Sequence, residues 1–119
     1  MFRMILHELL ATTAGAQAAL FLDWEGETVE LACDHDLSDH ELRIIGAYQG
    51  IFLSRLRALC AGIQAGEPRR YKIELETRAV LSCDVKDGYY IVLLVDTSFN
   101  EGLAWRRIEK CRERLLAEM

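Results

Sequence analysis

Residues 33–41, Cys-Asp-His-Asp-Leu-Ser-Asp-His-Glu, gather one thiol, two imidazoles and four carboxylates into nine positions. Side chains of these types hold divalent metals, and a thiol beside an imidazole is the pair that makes a nucleophile. Both chemistries need groups that converge from one side. His35 and His40 are five apart across a strand-to-helix turn, which matches neither H-x-x-x-H nor H-E-x-x-H. A simpler pattern fits the same stretch. Ser38-Asp39-His40-Glu41 is an S-x-x-E capping box in front of a long apolar-periodic run. Ser38 can accept from the amide of Glu41, Glu41 can reach back to the amide of Ser38, and Asp39 sets a negative charge in the first turn, where the helix dipole favours it. The spacing therefore predicts a helix start and no metal site.

Enzyme chemistry is no better supported elsewhere. Cys33, Cys60, Cys83 and Cys111 are widely spaced, form no C-x-x-C pair, and read as reduced core thiols. A Cys33–His35 or Cys33–His40 nucleophile pair is the less economical reading, because a cysteine in a strand facing a core is normally inert. There is no P-loop, no G-x-S-x-G, no GxGxxG and no H-E-x-x-H. The expectation is a non-enzyme without cofactor or metal.

Composition narrows the class. The 119 residues suffice for one domain, 1–119, with a core of its own. An apolar fraction of 51%, a charged fraction of 28% and a single proline are soluble, globular values. The net charge of −5 argues against nucleic acid or an anionic membrane as the main partner. The apolar stretches are too short and interrupted to span a bilayer, and His7 and Glu8 spoil the N-terminus as a signal peptide. A cytoplasmic protein is expected.

The elements that must position any site follow from periodicity. Phe2, Ile5, Leu6, Leu9 and Leu10 fall at helical spacing, with Gly15 closing the segment as a C′ residue. Ala18, Leu20, Leu22 and Trp24 alternate with Ala19, Phe21 and Asp23, which predicts a strand apolar on both faces. Glu25-Gly26 makes a tight turn, and Val29, Leu31 and Cys33 return as a second strand. After the long helix opened by Ser38, Gly66 and Pro68 mark its end. "RRYKIELET" alternates through Tyr71, Ile73, Leu75 and Thr77, with Lys72, Glu74 and Glu76 on a charged face that discourages aggregation. "RAVLSCDV" and "YYIVLLVD" form a hairpin about Asp87-Gly88. A last helix begins at a second capping box, Ser98 to Glu101, and buries Ala104, Ile108, Cys111 and Leu115. Its Arg106, Lys110 and Arg114 lie near Glu109 and Glu113 as an ion-paired, solvated stripe. The predicted order is α-β-β-α-β-β-β-α: an α+β domain with a five-stranded antiparallel sheet and helices on its faces.

The long helix is the informative segment. Leu42, Ile45, Gln49, Phe52, Leu56, Leu59 and Ile63 recur at spacings of three and four, forming one seam in which only Gln49 is polar. Yet Ile44, Ala47, Tyr48, Ile51 and Leu53 lie off that seam, so the first half is apolar almost all round. Gly46 and Gly50 share a face and each costs about 0.8–1.0 kcal/mol relative to alanine in a helix. Two readings stand. The glycines pack under a strand of the same domain, or they admit a partner helix, most simply a second copy across a two-fold axis. Beyond Leu53, Arg55 and Arg57 interrupt the apolar run, and with Arg43 and Tyr48 they form either a solvated face or a partner surface. Arginine and tyrosine are the side chains that dominate interface hot spots.

The sequence also resembles the roadblock (dynein light chain) family. The resemblance rests on the small-residue entry into a strand at Ala16 to Leu22, the D-x-x-G turn Asp23-Trp24-Glu25-Gly26, the strand Thr28 to Ala32, and Asn100-Glu101-Gly102-Leu103 at the last helix. Trp24 itself and the Cys33–His35 exit lie outside the family pattern. The resemblance implies a profilin/longin-like roadblock domain that forms a homodimer, or a heterodimer with a roadblock paralogue. The sheets would join edge to edge and the long helices pair, with Gly46, Tyr48, Gly50, Leu53, Tyr71 and Ile73 at the interface. Family members regulate or scaffold small Ras-like GTPases or dynein motor complexes, and bacterial MglB-like members act as GTPase activators whose GTPase sits against the paired helices. By that likeness Arg43, Tyr48, Arg55 and Arg57 are the candidate partner-binding residues. The alternatives are a dimeric adaptor without a GTPase and, further off, a Cys/His metal or redox protein.

Overall fold

The computed structural model describes residues 1–119, the whole sequence. Its elements run α1 (Phe2–Thr12), β1 (Ala16–Leu22), β2 (Thr28–Cys33), α2 (Asp39–Ile63), β3 (Arg70–Glu74), β4 (Arg78–Lys86), β5 (Tyr89–Asp96) and α3 (Glu101–Glu118). All strands pair antiparallel in the order β2-β1-β5-β4-β3. The α+β order and the five-stranded sheet agree with the periodicity. β1 and β5 lie at the centre, which explains why both read as apolar on two faces.

That alternation divides the core. Ala19, Phe21, Leu81, Ile91 and Leu93 point to one face and pack with Leu6, Leu9, Ile108 and Leu115 of α1 and α3. Leu20, Leu22, Val80, Tyr90 and Val92 point to the other, where α2 alone covers them through Leu42 and Leu53. One face thus carries two helices and the other carries one.

The turns and caps are set by identifiable groups. Ser38 caps α2 by accepting from the amide of Glu41 at 3.3 Å, as the capping box predicts. Asp87 and Gly88 both take positive φ, 54° and 85°, the pair of left-handed residues that a two-residue hairpin needs. Four local expectations are corrected. Trp24 is not on a strand, because the Asp23 carboxylate accepts from the amides of Glu25 and Glu27 and curls the chain into a turn after Leu22. The helix at 101 is capped by Asn100, whose Oδ1 accepts from Leu103 at 2.9 Å; Ser98 is instead held by Asp96. Gln64, at φ 54°, ends α2 in place of Gly66. β3 stops at Glu74, leaving Leu75 and Thr77 outside it and exposed.

Candidate protein-binding surface

The polar groups of residues 33–41 do not converge. Cys33 Sγ donates to the carbonyl of His35, His35 Nδ1 lies 2.5 Å from Asp34 Oδ1, and Ser38 is occupied as the cap. No three His, Cys, Asp or Glu side chains are placed to hold a metal ion together. Burial pushes the Cys83 thiol up to about 11 and the Cys111 thiol up to about 12, so both stay protonated at neutral pH.

Two tyrosines hold α2 on the sheet. The Tyr90 hydroxyl donates to the carbonyl of Gly46 at 2.8 Å, and burial raises its pKa to about 12. The Tyr71 hydroxyl donates to Gln49 Oε1 at 2.5 Å, and burial raises its pKa as well. Gln49 in turn donates to the carbonyl of Ile45, which satisfies the one polar residue of the seam. These bonds explain the glycines. A Cβ on Gly46 would lie 2.8 Å from Leu22 Cδ2, and one on Gly50 would lie 2.6 Å from the Tyr90 hydroxyl. The glycines therefore bring α2 close to its own sheet, and the expectation that they admit a partner helix is corrected. Leu53 is corrected with them, since it is buried in the same core.

The remaining expected interface residues are placed differently. Tyr48 is exposed on the outer side of α2. Tyr71 and Ile73 lie on β3, a sheet edge with no strand beyond it, and their half-buried side chains pack under α2. Arg43 and Arg55 are exposed and form no ion pair within the chain. Arg57 is engaged: its guanidinium lies 2.9 Å from Asp84 and 3.8 Å from Glu67. That occupation removes Arg57 from a free partner surface.

The seam changes role along α2. Leu42 and Gln49 are buried against the sheet, while Phe52, Leu59 and Ile63 are 38%, 70% and 74% exposed. A seven-residue repeat drifts about 20° per heptad on a straight helix, and α2 also outruns the strands beneath it. Ile44 and Ile51 are exposed beside this line. The sequence signals for this surface were present in the seam, but periodicity does not tell which half meets the sheet.

Charge is divided as sharply. Between Asp23 and Glu41 every charged residue other than histidine is acidic; between Leu42 and Ile73 every one except Glu67 is basic. Along α2 itself the first turn is acidic, with Asp39 and Glu41, and the far half is basic, with Arg55 and Arg57. On β3, Lys72 reaches Glu101 and Glu74, a pairing that raises its pKa and holds Glu101 below the usual carboxylate range.

No protein-family model matches the chain, and no curated protein matches it in sequence. Its fold is matched closely. The roadblock/LC7 domain from Streptomyces avermitilis superposes with a TM-score of 0.88 over 98% of this chain and 95% of that one, at 13% identity. Myxococcus xanthus MglB gives 0.85 over 96% and 90%, at 18% identity. Acanthamoeba castellanii profilin IB gives 0.69 over 99% and 98%, at 14% identity. The chain has the roadblock-domain, profilin-like fold. No helix is long and apolar enough to cross a membrane.

Proposed function

We propose that this chain is a non-enzymatic dimeric regulator or scaffold of a small Ras-like GTPase, acting in the cytoplasm. The observation that carries the dimer is the outer seam of α2, where Phe52, Leu59 and Ile63 stand exposed at heptad-like spacing on a helix with only one covered face. Such residues are stable in water when a second helix covers them. The charge division favours an antiparallel pair: a two-fold axis across α2 sets the acidic start of one helix against the basic far half of the other. The free edge of β3, next to this seam, lets the two sheets continue into each other. A roadblock paralogue could take the place of the second copy.

The GTPase reading rests on the roadblock fold and on the free basic and aromatic groups left on α2, Arg43, Tyr48 and Arg55. Arginine meets carboxylates bidentately and, with tyrosine, concentrates binding energy at interfaces. The test is binding of small Ras-like GTPases from the same organism, loaded with GDP or a non-hydrolysable GTP analogue. Nucleotide-dependent binding lost in Arg55→Ala supports the regulator, and faster GTP hydrolysis makes it an activator. No binding in either state leaves a dimeric adaptor without a GTPase.

A further inference from the structure

Trp24 has no role in the fold that its size would suggest. It sits on the β1–β2 turn and is 63% exposed. Its backbone is nonetheless fixed. The Asp23 carboxylate closes the turn around it, and its ring meets Tyr89 edge-on at 5.5 Å. On the other side Gly88 abuts it so closely that a Cβ there would lie 2.6 Å from the Trp24 Cβ. An indole held this firmly in water is preorganised for contact.

Beside it the turn and α2 leave a cleft of about 400 Å³, within the rough 300–1,000 Å³ range of binding pockets. Gly26, Ala47 and Gly50 form a floor of small residues, and Trp24 and Ile51 are the apolar walls. Gly26 takes φ 79° and nearly touches Ala47, so neither the turn nor the helix can fill the space with a larger side chain without moving. Arg55 and Glu25 stand on opposite elements along the rim, and neither forms an ion pair within the chain. At about 100° per residue the floor of the cleft on α2, Ala47, Gly50 and Ser54, lies roughly 140–160° around the helix from Phe52, Leu59 and Ile63, and only Arg55, three residues after Phe52, borders the seam. Covering the seam with a second copy therefore leaves the floor of the cleft open, with Arg55 at its margin.

We infer that this cleft is an anchor pocket for a partner protein, taking one apolar side chain whose segment sets a carboxylate against Arg55 and a basic group against Glu25. The inference rests on the partner-binding reading above and names the point at which α2 engages the partner. A rigid tryptophan, an unpaired arginine and an aliphatic wall around a concavity are the composition of an interface hot spot, and the two unpaired charges fix the direction of the bound segment. The occupant is a protein segment, since Ile51, the apolar wall on α2, shares its helix face with the exposed Ile44 and Tyr48, seven and three residues before it, and so gives an extended chain further apolar contact.

The test uses the full chain with Trp105→Phe, so that Trp24 is the only tryptophan. Two probes are titrated while the Trp24 indole signal and the amides of Ala47, Ile51 and Arg55 are followed by NMR. One is a small Ras-like GTPase from the same organism. The other is a panel of twelve-residue peptides with a central Leu, Phe or Trp between Asp and Lys, paired with controls in which the Asp is Lys. At least one probe is expected to shift these signals together, with binding weakened tenfold or more in Trp24→Ala and Arg55→Glu and an unchanged dimer. Peptide binding at the cleft without GTPase binding upholds the pocket and removes the GTPase reading. GTPase binding that is unaltered in both variants overturns the pocket and leaves the regulator standing. The pocket is also overturned if neither probe moves the Trp24 signal, or if Trp24→Ala breaks the dimer instead.

Discussion

Replacing Gly50 by alanine sets helix propensity against packing. An interior helical glycine costs about 0.8–1.0 kcal/mol relative to alanine, so propensity alone favours the change. The new methyl, however, would lie 2.6 Å from the Tyr90 hydroxyl and 3.0 Å from Cζ of the same ring. That ring is fully buried among Leu20, Leu22 and Val92 and cannot swing aside. Overpacking of this kind costs about 1–3 kcal/mol, and displacing the Tyr90–Gly46 hydrogen bond adds about 0.5–1.5 kcal/mol. The net expectation is a loss of about 0.5–3.5 kcal/mol, near 4 °C in Tm per kcal/mol for a domain of this size. Urea unfolding at two protein concentrations tenfold apart reads it directly. The loss should be the same at both, because the clash is inside one chain. Tyr90→Phe removes the atom nearest the methyl, so in the double variant the two effects should fall short of additivity. A stabilised Gly50→Ala, or a penalty that disappears on dilution, would refute the intramolecular role of this glycine.

Three further outcomes are expected. Phe52→Asp combined with Leu59→Asp should convert the chain to a monomer by analytical ultracentrifugation with its circular dichroism retained, because both side chains are exposed in the single chain; loss of the folded signal instead would place them in the core. Ser38→Ala and Asn100→Ala should each cost about 0.5–2 kcal/mol in urea unfolding, whereas Ser98→Ala, which removes no cap, should cost less than Asn100→Ala. Stability should also fall above neutral pH. The folded chain keeps the protons of Cys83, Cys111 and Tyr90 up to about 11, about 12 and about 12, against 9, 9 and 10 unfolded. It thus binds more protons than the unfolded chain from pH 9 upward, and the stability these groups contribute is complete below pH 9 and lost toward pH 12. Unfolding midpoints at pH 8 and pH 10.5 should show the drop, and Tyr90→Phe should shrink the part above pH 10.

The order of elements was legible because each signal was local: two-residue alternation in β1 and β5, left-handed residues at Asp87-Gly88, and a serine three residues before a glutamate at α2. What failed was direction. Gly46 and Gly50 advertise a close approach, but an absent side chain carries no record of which neighbour comes near; Leu20, Leu22 and Tyr90 supply that answer from strands far away in sequence. Ser98 and Asn100 are both good caps, and the choice fell to Asn100 because Asp96 claims the serine. Trp24 continues the strand alternation in the sequence, and only the Asp23 side chain, by folding back on two amides, takes it out of the strand and onto the cleft. Arg57 looked as free as Arg55 until Asp84 was brought beside it from β4.

The central pairing of β1 with β5 bears on how the chain is made. β1 leaves the ribosome early, with nearly every side chain apolar, and its partner β2 protects only one edge. The other edge waits for Tyr89–Asp96. At roughly 5–20 residues per second, the intervening stretch of about 70 residues takes about 3–14 s to synthesise. Throughout that interval the nascent chain offers an unpaired, water-averse edge on β1, and β4, although it can pair with β3, cannot join the β1–β2 hairpin until β5 arrives between β1 and β4. The sheet stays in two pieces until β5 is made, so its burden on chaperones falls during synthesis, and a truncation ahead of Tyr89 should aggregate where the whole chain folds.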